Sequence, residues 1–253
     1  MIVFITGASS GIGAALAREY ATQGATLGLV ARNGDALSLL TADLGGQHYT
    51  YIADVTDDTA LRIAAQDFIA KAGVPDVVIA NAGISVGTLT QEAVDNHAFR
   101  RVMETNVLGL VHTFQPFLDA MLKRGSGRLI GIASVAGIRG LPGAGAYSAS
   151  KAAAIAYLES LRVELRGSGV HAVTIAPGYI DTPMTQKNDY PMPFMLPADE
   201  AARRFIRAIE SARSYVVIPW QMGVVAKLMR MLPNAIYDRL AARAGRKPRN
   251  LPL

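Results

Sequence analysis

Tyr147 and Lys151 stand four residues apart in Tyr147-Ser-Ala-Ser-Lys151, and Ser134 precedes the pair by thirteen residues. On a helix, residues i and i+4 share a face, so the phenol and the ammonium address the same place. A free tyrosine titrates near ~10, and bringing it to ~7 takes about 4 kcal/mol. A cation at ~4 Å in an effective dielectric of ~20 supplies about that much. The pair therefore suits proton transfer to or from an oxygen near neutral pH. Far upstream, Thr6-Gly-Ala-Ser-Ser-Gly-Ile-Gly13 sets Gly7, Gly11 and Gly13 between an apolar run and a helical pattern. Glycines there allow a tight turn and close backbone approach to a pyrophosphate, which then meets a helix N-terminus. A dinucleotide cradle followed by an acid–base pair is the equipment of a nicotinamide-dependent oxidoreductase.

The elements that must hold these groups are legible in the periodicity. Apolar runs at 2–6, 26–31, 47–53, 76–80, 127–133, 170–176 and 215–218 read as strands. Helical spacing covers 12–23, 35–44, a stretch capped by Thr56 or Asp57 and reaching Lys71, then 98–124, 146–166 and 197–212. Their alternation predicts one doubly wound α/β sheet rather than two domains. Ser134 comes directly after the 127–133 run, so its hydroxyl belongs at the carboxyl edge of the sheet. The stretch 178–197, rich in Pro, Met, Asp and Tyr, has no period and reads as a structureless lid over that edge.

Asp54-Val55, Asn81-Ala-Gly83, Asn106, Pro177-Gly178 and Thr182 complete a series that resembles the short-chain dehydrogenase/reductase family, in its compact branch. The resemblance implies a single-domain Rossmann fold over 1–219, with a mostly parallel seven-stranded sheet and helices on both faces. Residues 220–253 are then a helical extension of that domain. It further implies Tyr147 as the acid/base, Ser134 as the hydrogen-bonding partner of the substrate oxygen, and Lys151 as the group that lowers the Tyr147 pKa and grips the nicotinamide ribose. Asn106 would bend its helix and hold a water near Lys151. Gly7, Ser9, Ser10, Gly11, Ile12, Gly13, Val55, Ile180 and Thr182 would join Tyr147 and Lys151 in binding the cofactor. Asp54 would meet the adenine amino group, with helix capping as its rival role. Asn81 would tie strands together first and touch the cofactor second.

Cofactor choice falls at the end of the second strand, where a carboxylate would accept the ribose hydroxyls of NAD and repel a 2′-phosphate. Here the chain reads Ala31-Arg32-Asn33, and Arg32 can hold a phosphate bidentately. NADP is favoured over NAD, although the glycine loop itself holds no basic residue.

Among 253 residues there is no cysteine, which excludes disulfide frameworks, thiolate metal sites and thiol nucleophiles. No grouping of His, Asp and Glu suggests a metal, and His48, His97, His112 and His171 are scattered. The first strand begins at Ile2 and no apolar run approaches the ~18 residues of a membrane span, so a cytoplasmic protein is expected. The net charge is +5, but the residues from Trp220 onward carry +6 and the rest −1. Nucleic acid is therefore not an expected partner. The basic tail is amphipathic through Val224, Val225, Leu228 and Met229, then Ile236, Tyr237 and Leu240. It is expected to pack on its own domain or a dimer partner, with weak contact to a membrane surface or an acidic acyl carrier as rivals. A homodimer or homotetramer is expected. The apolar 178–197 stretch points to a hydrophobic ketone or secondary alcohol as substrate. Two rivals are a catalytically silent NADP-binding regulatory or interaction protein on the same scaffold and a sugar-nucleotide epimerase or dehydratase of the longer branch.

Overall fold

The structure, a computed structural model, describes residues 1–243 and 245–249. Its strands are β1 (Ile2–Thr6), β2 (Thr26–Ala31), β3 (His48–Ile52), β4 (Val77–Ala80), β5 (Gly127–Ile132), β6 (Val170–Pro177), β7 (Ile180–Asp181), β8 (Leu196–Pro197) and β9 (Tyr215–Ile218). Seven of them form one sheet in the order β3-β2-β1-β4-β5-β6-β9, parallel throughout. The chain reverses its direction of travel across the sheet between β1 and β4. Open α/β sheets bind ligands at such a switch point, outside the carboxyl ends of the strands.

Helices α1 (Gly11–Thr22), α2 (Gly34–Asp43) and α7 (Ala198–Glu210) serve one face; α3 (Asp58–Ala72), α5 (Gly109–Arg124) and α6 (Gly145–Glu164) serve the other. The period-2 geometry of β1 shows why both faces are apolar. Val3 and Ile5 pack with Leu16, Tyr20, Phe205 and Ile209. Phe4, between them, points the other way into Phe68, Phe114, Phe117 and Leu158. The result is a rigid sheet whose carboxyl edge carries the loops.

Three expectations need correction. The helix foreseen over 98–124 begins earlier, as α4 (Asp95–Met103), and is broken by a π-helical turn at Glu104–Leu108 before α5. Asn106 lies in that turn, and its side chain is drawn to the peptide of Ile84. The rival capping role of Asp54 is not found: of the two caps expected for α3 the structure has Asp57, whose carboxylate accepts from the Ala60 N–H at 2.9 Å. The 178–197 stretch is not structureless, because β7 and β8 pair in parallel and draw its two ends together.

The tail continues as α8 (Trp220–Met231) and α9 (Asn234–Ala241). Met222 and Ala226 bury α8 against the domain. Arg139 secures the junction of the two helices, donating to the Leu232 carbonyl at 2.8 Å and to Asn234 at 3.0 Å, with its guanidinium 3.9 Å from the Tyr237 ring centre. Packing on its own domain is thus observed, while Trp220, Val224, Leu228, Ile236 and Leu240 remain exposed.

Candidate active site

A cleft of about 470 Å³ runs along the carboxyl edge of the sheet. The glycine loop, Arg32, Asn33 and Asp54 line one end; Ser134, Tyr147 and Lys151 line the other, with Ile180 and Thr182 along the side. Val55 and Asn81 border it as well. The fold therefore gathers the separated motifs into one space.

The loop from Gly7 to Gly13 is shaped by what it cannot hold. Gly7 has φ +66°, and a Cβ there would lie 2.7 Å from Ala82 Cα. At Gly13 a Cβ would overlap the Gly7 carbonyl oxygen and lie 2.6 Å from Asn81 Nδ2. That amide holds the turn, donating to the Thr6 and Gly7 carbonyls at 3.0 and 3.1 Å. Asn81 thus joins the ends of β1 and β4, as its strand-tying role requires. Ser10 precedes α1 in extended conformation and makes no side-chain bond to the first turn, leaving those N–H groups directed at the cleft. A bare backbone at a helix N-terminus fits the pyrophosphate of a dinucleotide.

At the β2 end, Asn33 caps α2 through the Ala36 N–H at 3.0 Å. Half-exposed Arg32 reaches Asp54 at 3.7 Å, and Arg101 reaches the same oxygen at 3.4 Å. The other Asp54 oxygen accepts from the Thr56 N–H and hydroxyl, both at 2.9 Å. These bonds and the two guanidiniums hold its carboxyl below the ordinary value, against the opposing effect of burial. Arg101 escaped the sequence reading because its pairing spans 47 residues and no motif marks it.

At the other end, Ser134 comes after β5 and starts a 3-10 turn (Val135–Gly137), accepting from the Ala136 N–H at 3.1 Å. Tyr147 and Lys151 occupy successive turns at the start of α6, on one face as their spacing requires. The Lys151 ammonium donates to the Ile132 carbonyl at 2.8 Å and lies 5.8 Å from the Tyr147 ring centre. Asn106 donates to Ile84 O and to Ser150 Oγ, and Ser150 in turn donates to the Tyr147 carbonyl. Buried Ser150 therefore links the π turn to the first turn of α6, a role invisible from its place between Tyr147 and Lys151.

The electrostatics differ from the simple expectation of a cation lowering a phenol. Burial pushes the Tyr147 phenol up, and the neighbouring Ser134 hydroxyl pulls it partly back. Burial also brings Lys151 down to about 8. Desolvation outweighs attraction because both groups are enclosed and the ammonium stands off the ring.

This burial makes stability depend on pH. An unfolded lysine titrates near ~10.4, so between pH ~8 and that value the unfolded chain binds more protons and stability rises with pH. Below ~8 the buried ammonium opposes folding by about 3 kcal/mol. The stability difference between wild type and Lys151→Met is expected to move in favour of wild type by about that amount from pH ~7 to ~10.5. Urea unfolding of both proteins across the range checks it; a constant difference contradicts it.

Among the described residues no helix is long and apolar enough to cross a membrane, and no three His, Cys, Asp or Glu side chains gather as metal ligands. Fold and cleft define an α/β dinucleotide-binding oxidoreductase. The family model for short chain dehydrogenases matches residues 1–192. An uncharacterized oxidoreductase of Myxococcus xanthus is 38% identical over 244 residues, covering 94% of this chain and 95% of the relative. The 2-dehydro-3-deoxy-L-rhamnonate dehydrogenase (NAD(+)) of a Sphingomonas species is 37% identical over 180 residues, 71% and 72% of the two chains. Among solved structures, an actinorhodin polyketide ketoreductase with NADPH superposes with TM-score 0.79 at 26% identity, covering 86% of this chain and 95% of that one. The chain belongs to the short-chain dehydrogenase family.

Proposed function

We propose that the chain is an NADPH-dependent reductase of a largely hydrophobic ketone, with Tyr147 as the proton donor. The observation that carries this reading is the meeting of Ser134, Tyr147 and Lys151 at one end of a cleft whose other end offers Arg32. The glycine loop, Arg32, Val55 and the 180–182 segment would hold the cofactor, which would supply the hydride for the carbonyl carbon. Tyr147 gives its proton to the developing alkoxide and takes one from the alcohol in the reverse direction. Ser134 holds the same oxygen and favours its negative charge. Lys151 would brace the ribose of the cofactor, and its ammonium, 5.8 Å from the Tyr147 ring centre, favours the phenolate left after proton transfer. Asn106 acts by fixing the first turn of α6 through Ser150.

NADPH is supported by the chain's own residues. The relative named above carries NAD(+) in its name and the ketoreductase was solved with NADPH, so the family accommodates both. Here Arg32 and Arg101 both face Asp54, and Arg101 also meets Glu104 at 3.8 Å, which leaves half-exposed Arg32 as the group to receive a 2′-phosphate. Arg32→Glu is expected to shift the ratio of kcat/KM for NADPH over NADH towards NADH by at least ~10-fold, the size of one lost charge-assisted contact. Initial rates with both cofactors check this, and an unchanged ratio assigns Arg32 to the surface. The exposed apolar row on α8 and α9 supports a homodimer as the assembly.

A further inference from the structure

Beyond α9, the described residues 245–249 lie against the domain. Residues 245–249 cross the loops after β4, β5 and β6, the loops that surround Tyr147. Three glycines make room for this strap. A side chain at Gly87 would overlap the Lys247 carbonyl, one at Gly143 would lie 3.1 Å from Arg246 Cβ, and one at Gly245 would overlap Tyr190. The Gly87 N–H donates to the Pro248 carbonyl at 2.8 Å. Arg249 fastens the end, with Nε 2.9 Å and Nη2 3.2 Å from the two oxygens of buried Asp95 and Nη2 3.5 Å from Glu92. Asp95 also accepts from the Leu89 N–H at 2.8 Å, so the anchor is itself held.

The strap delivers Lys247 to the face of Tyr147, its ammonium 5.5 Å from the ring centre. We propose that this strap completes the substrate site and that Lys247 is its anion-binding group, selecting carbonyl compounds that carry a carboxylate or phosphate close to the reacting carbonyl. The inference rests on the reductase reading and refines its substrate to an apolar frame bearing one anionic group.

Among the described residues no carboxylate lies within 4.0 Å of the Lys247 ammonium, whereas Arg249, two residues on, has two. The Tyr147 ring is an attractive neighbour but a weaker one than an anion. Burial, together with repulsion from Lys187 on the 178–197 loop, lowers Lys247 to about 8. Asp189 of the same loop acts on Tyr190. Lys187 is exposed, so it adds a second positive charge at the mouth without closing it. A half-buried cation under positive repulsion, beside the proposed proton donor, is complemented by an anion arriving with the substrate.

The test compares 2-, 3- and 4-oxo carboxylates with the methyl ester of each, and with a ketone phosphate of similar length, in wild type, Lys247→Met and Lys247→Arg. In wild type the acid or the phosphate is favoured over the ester, and which of the two wins identifies the anion. Lys247→Met is expected to lower the acid-to-ester ratio of kcat/KM at least ~10-fold, chiefly through KM, and Lys247→Arg to keep most of it. A ratio unchanged in Lys247→Met, with both substrates rising together, would make the strap a plug and overturn the proposal. Calorimetric binding of acid and ester to the NADP⁺-loaded protein separates the two readings. Lys247-dependent preference for the acid without turnover of any carbonyl removes the reductase reading and keeps the anion site. Equal binding of acid and ester removes the anion site whatever the turnover.

Discussion

Tyr147→Phe is expected to lower kcat for carbonyl reduction by roughly 10²–10⁴-fold, the usual contribution of a positioned proton donor. The loss should fall on kcat rather than on cofactor affinity, because the hydroxyl acts on charge that develops only in the transition state. The ring remains in place near the ammonium groups of Lys151 and Lys247, at 5.8 and 5.5 Å from its centre. Stability should therefore change by no more than ~1 kcal/mol, the net worth of a typical hydrogen bond. Steady-state kinetics, NADPH titration and urea unfolding on the same preparation check the three parts. A variant that retains wild-type kcat would transfer the proton-donor role to another group. A variant that loses NADPH binding would show the phenol to be structural.

The second large effect is expected at Gly13→Ala. A Cβ there overlaps the Gly7 carbonyl oxygen and approaches Asn81 Nδ2 to 2.6 Å, and neither neighbour can yield without breaking the turn. Overpacking of this kind costs roughly 1–3 kcal/mol of stability. The same movement displaces the loop on which cofactor binding depends, so NADPH affinity should fall at least ~100-fold, equivalent to about 3 kcal/mol. Gly45→Ala is the matched control, since nothing lies within 4 Å of its Cβ position and its φ is not positive. Fluorescence titration with NADPH on both variants checks it. Wild-type affinity in Gly13→Ala would remove the loop from the cofactor site.

Local pattern determines the part of the fold that is legible in the sequence. Apolar runs in β1 and β2 end where the strands end, because a buried parallel strand leaves little else for such runs to do. The grouping of Gly7, Ser134, Tyr147 and Lys151 is legible because the motifs stand in order on the strands and helices of one sheet. The π turn at Glu104–Leu108 is not, since its apolar spacing continues a helical period and only the bonds of Asn106 to Ile84 break it. Asp54 reads as a cap or an adenine contact, and its ion pairs with Arg32 and Arg101 depend on tertiary approach. The direction of the Tyr147 shift is misjudged from sequence because spacing conveys proximity and not enclosure. Packing of the tail on its own domain is expected from its apolar stripes, but its course to Tyr147 is not: Arg249 meets Asp95 across 154 residues, and a lysine in a basic tail gives no sign of where it will come to rest.

The central claim is hydride transfer to a carbonyl carbon, and isotope labelling tests it most directly. The purified protein would be incubated with NADPH carrying deuterium at the transferable position and a panel of neutral and anionic ketones, and the products examined by mass spectrometry. The account predicts alcohols bearing one deuterium on the former carbonyl carbon, formed in step with NADPH consumption and lost in Tyr147→Phe. NADPH bound tightly but left unconsumed, with no deuterium in any product, would contradict it and favour a cofactor-binding protein on this scaffold.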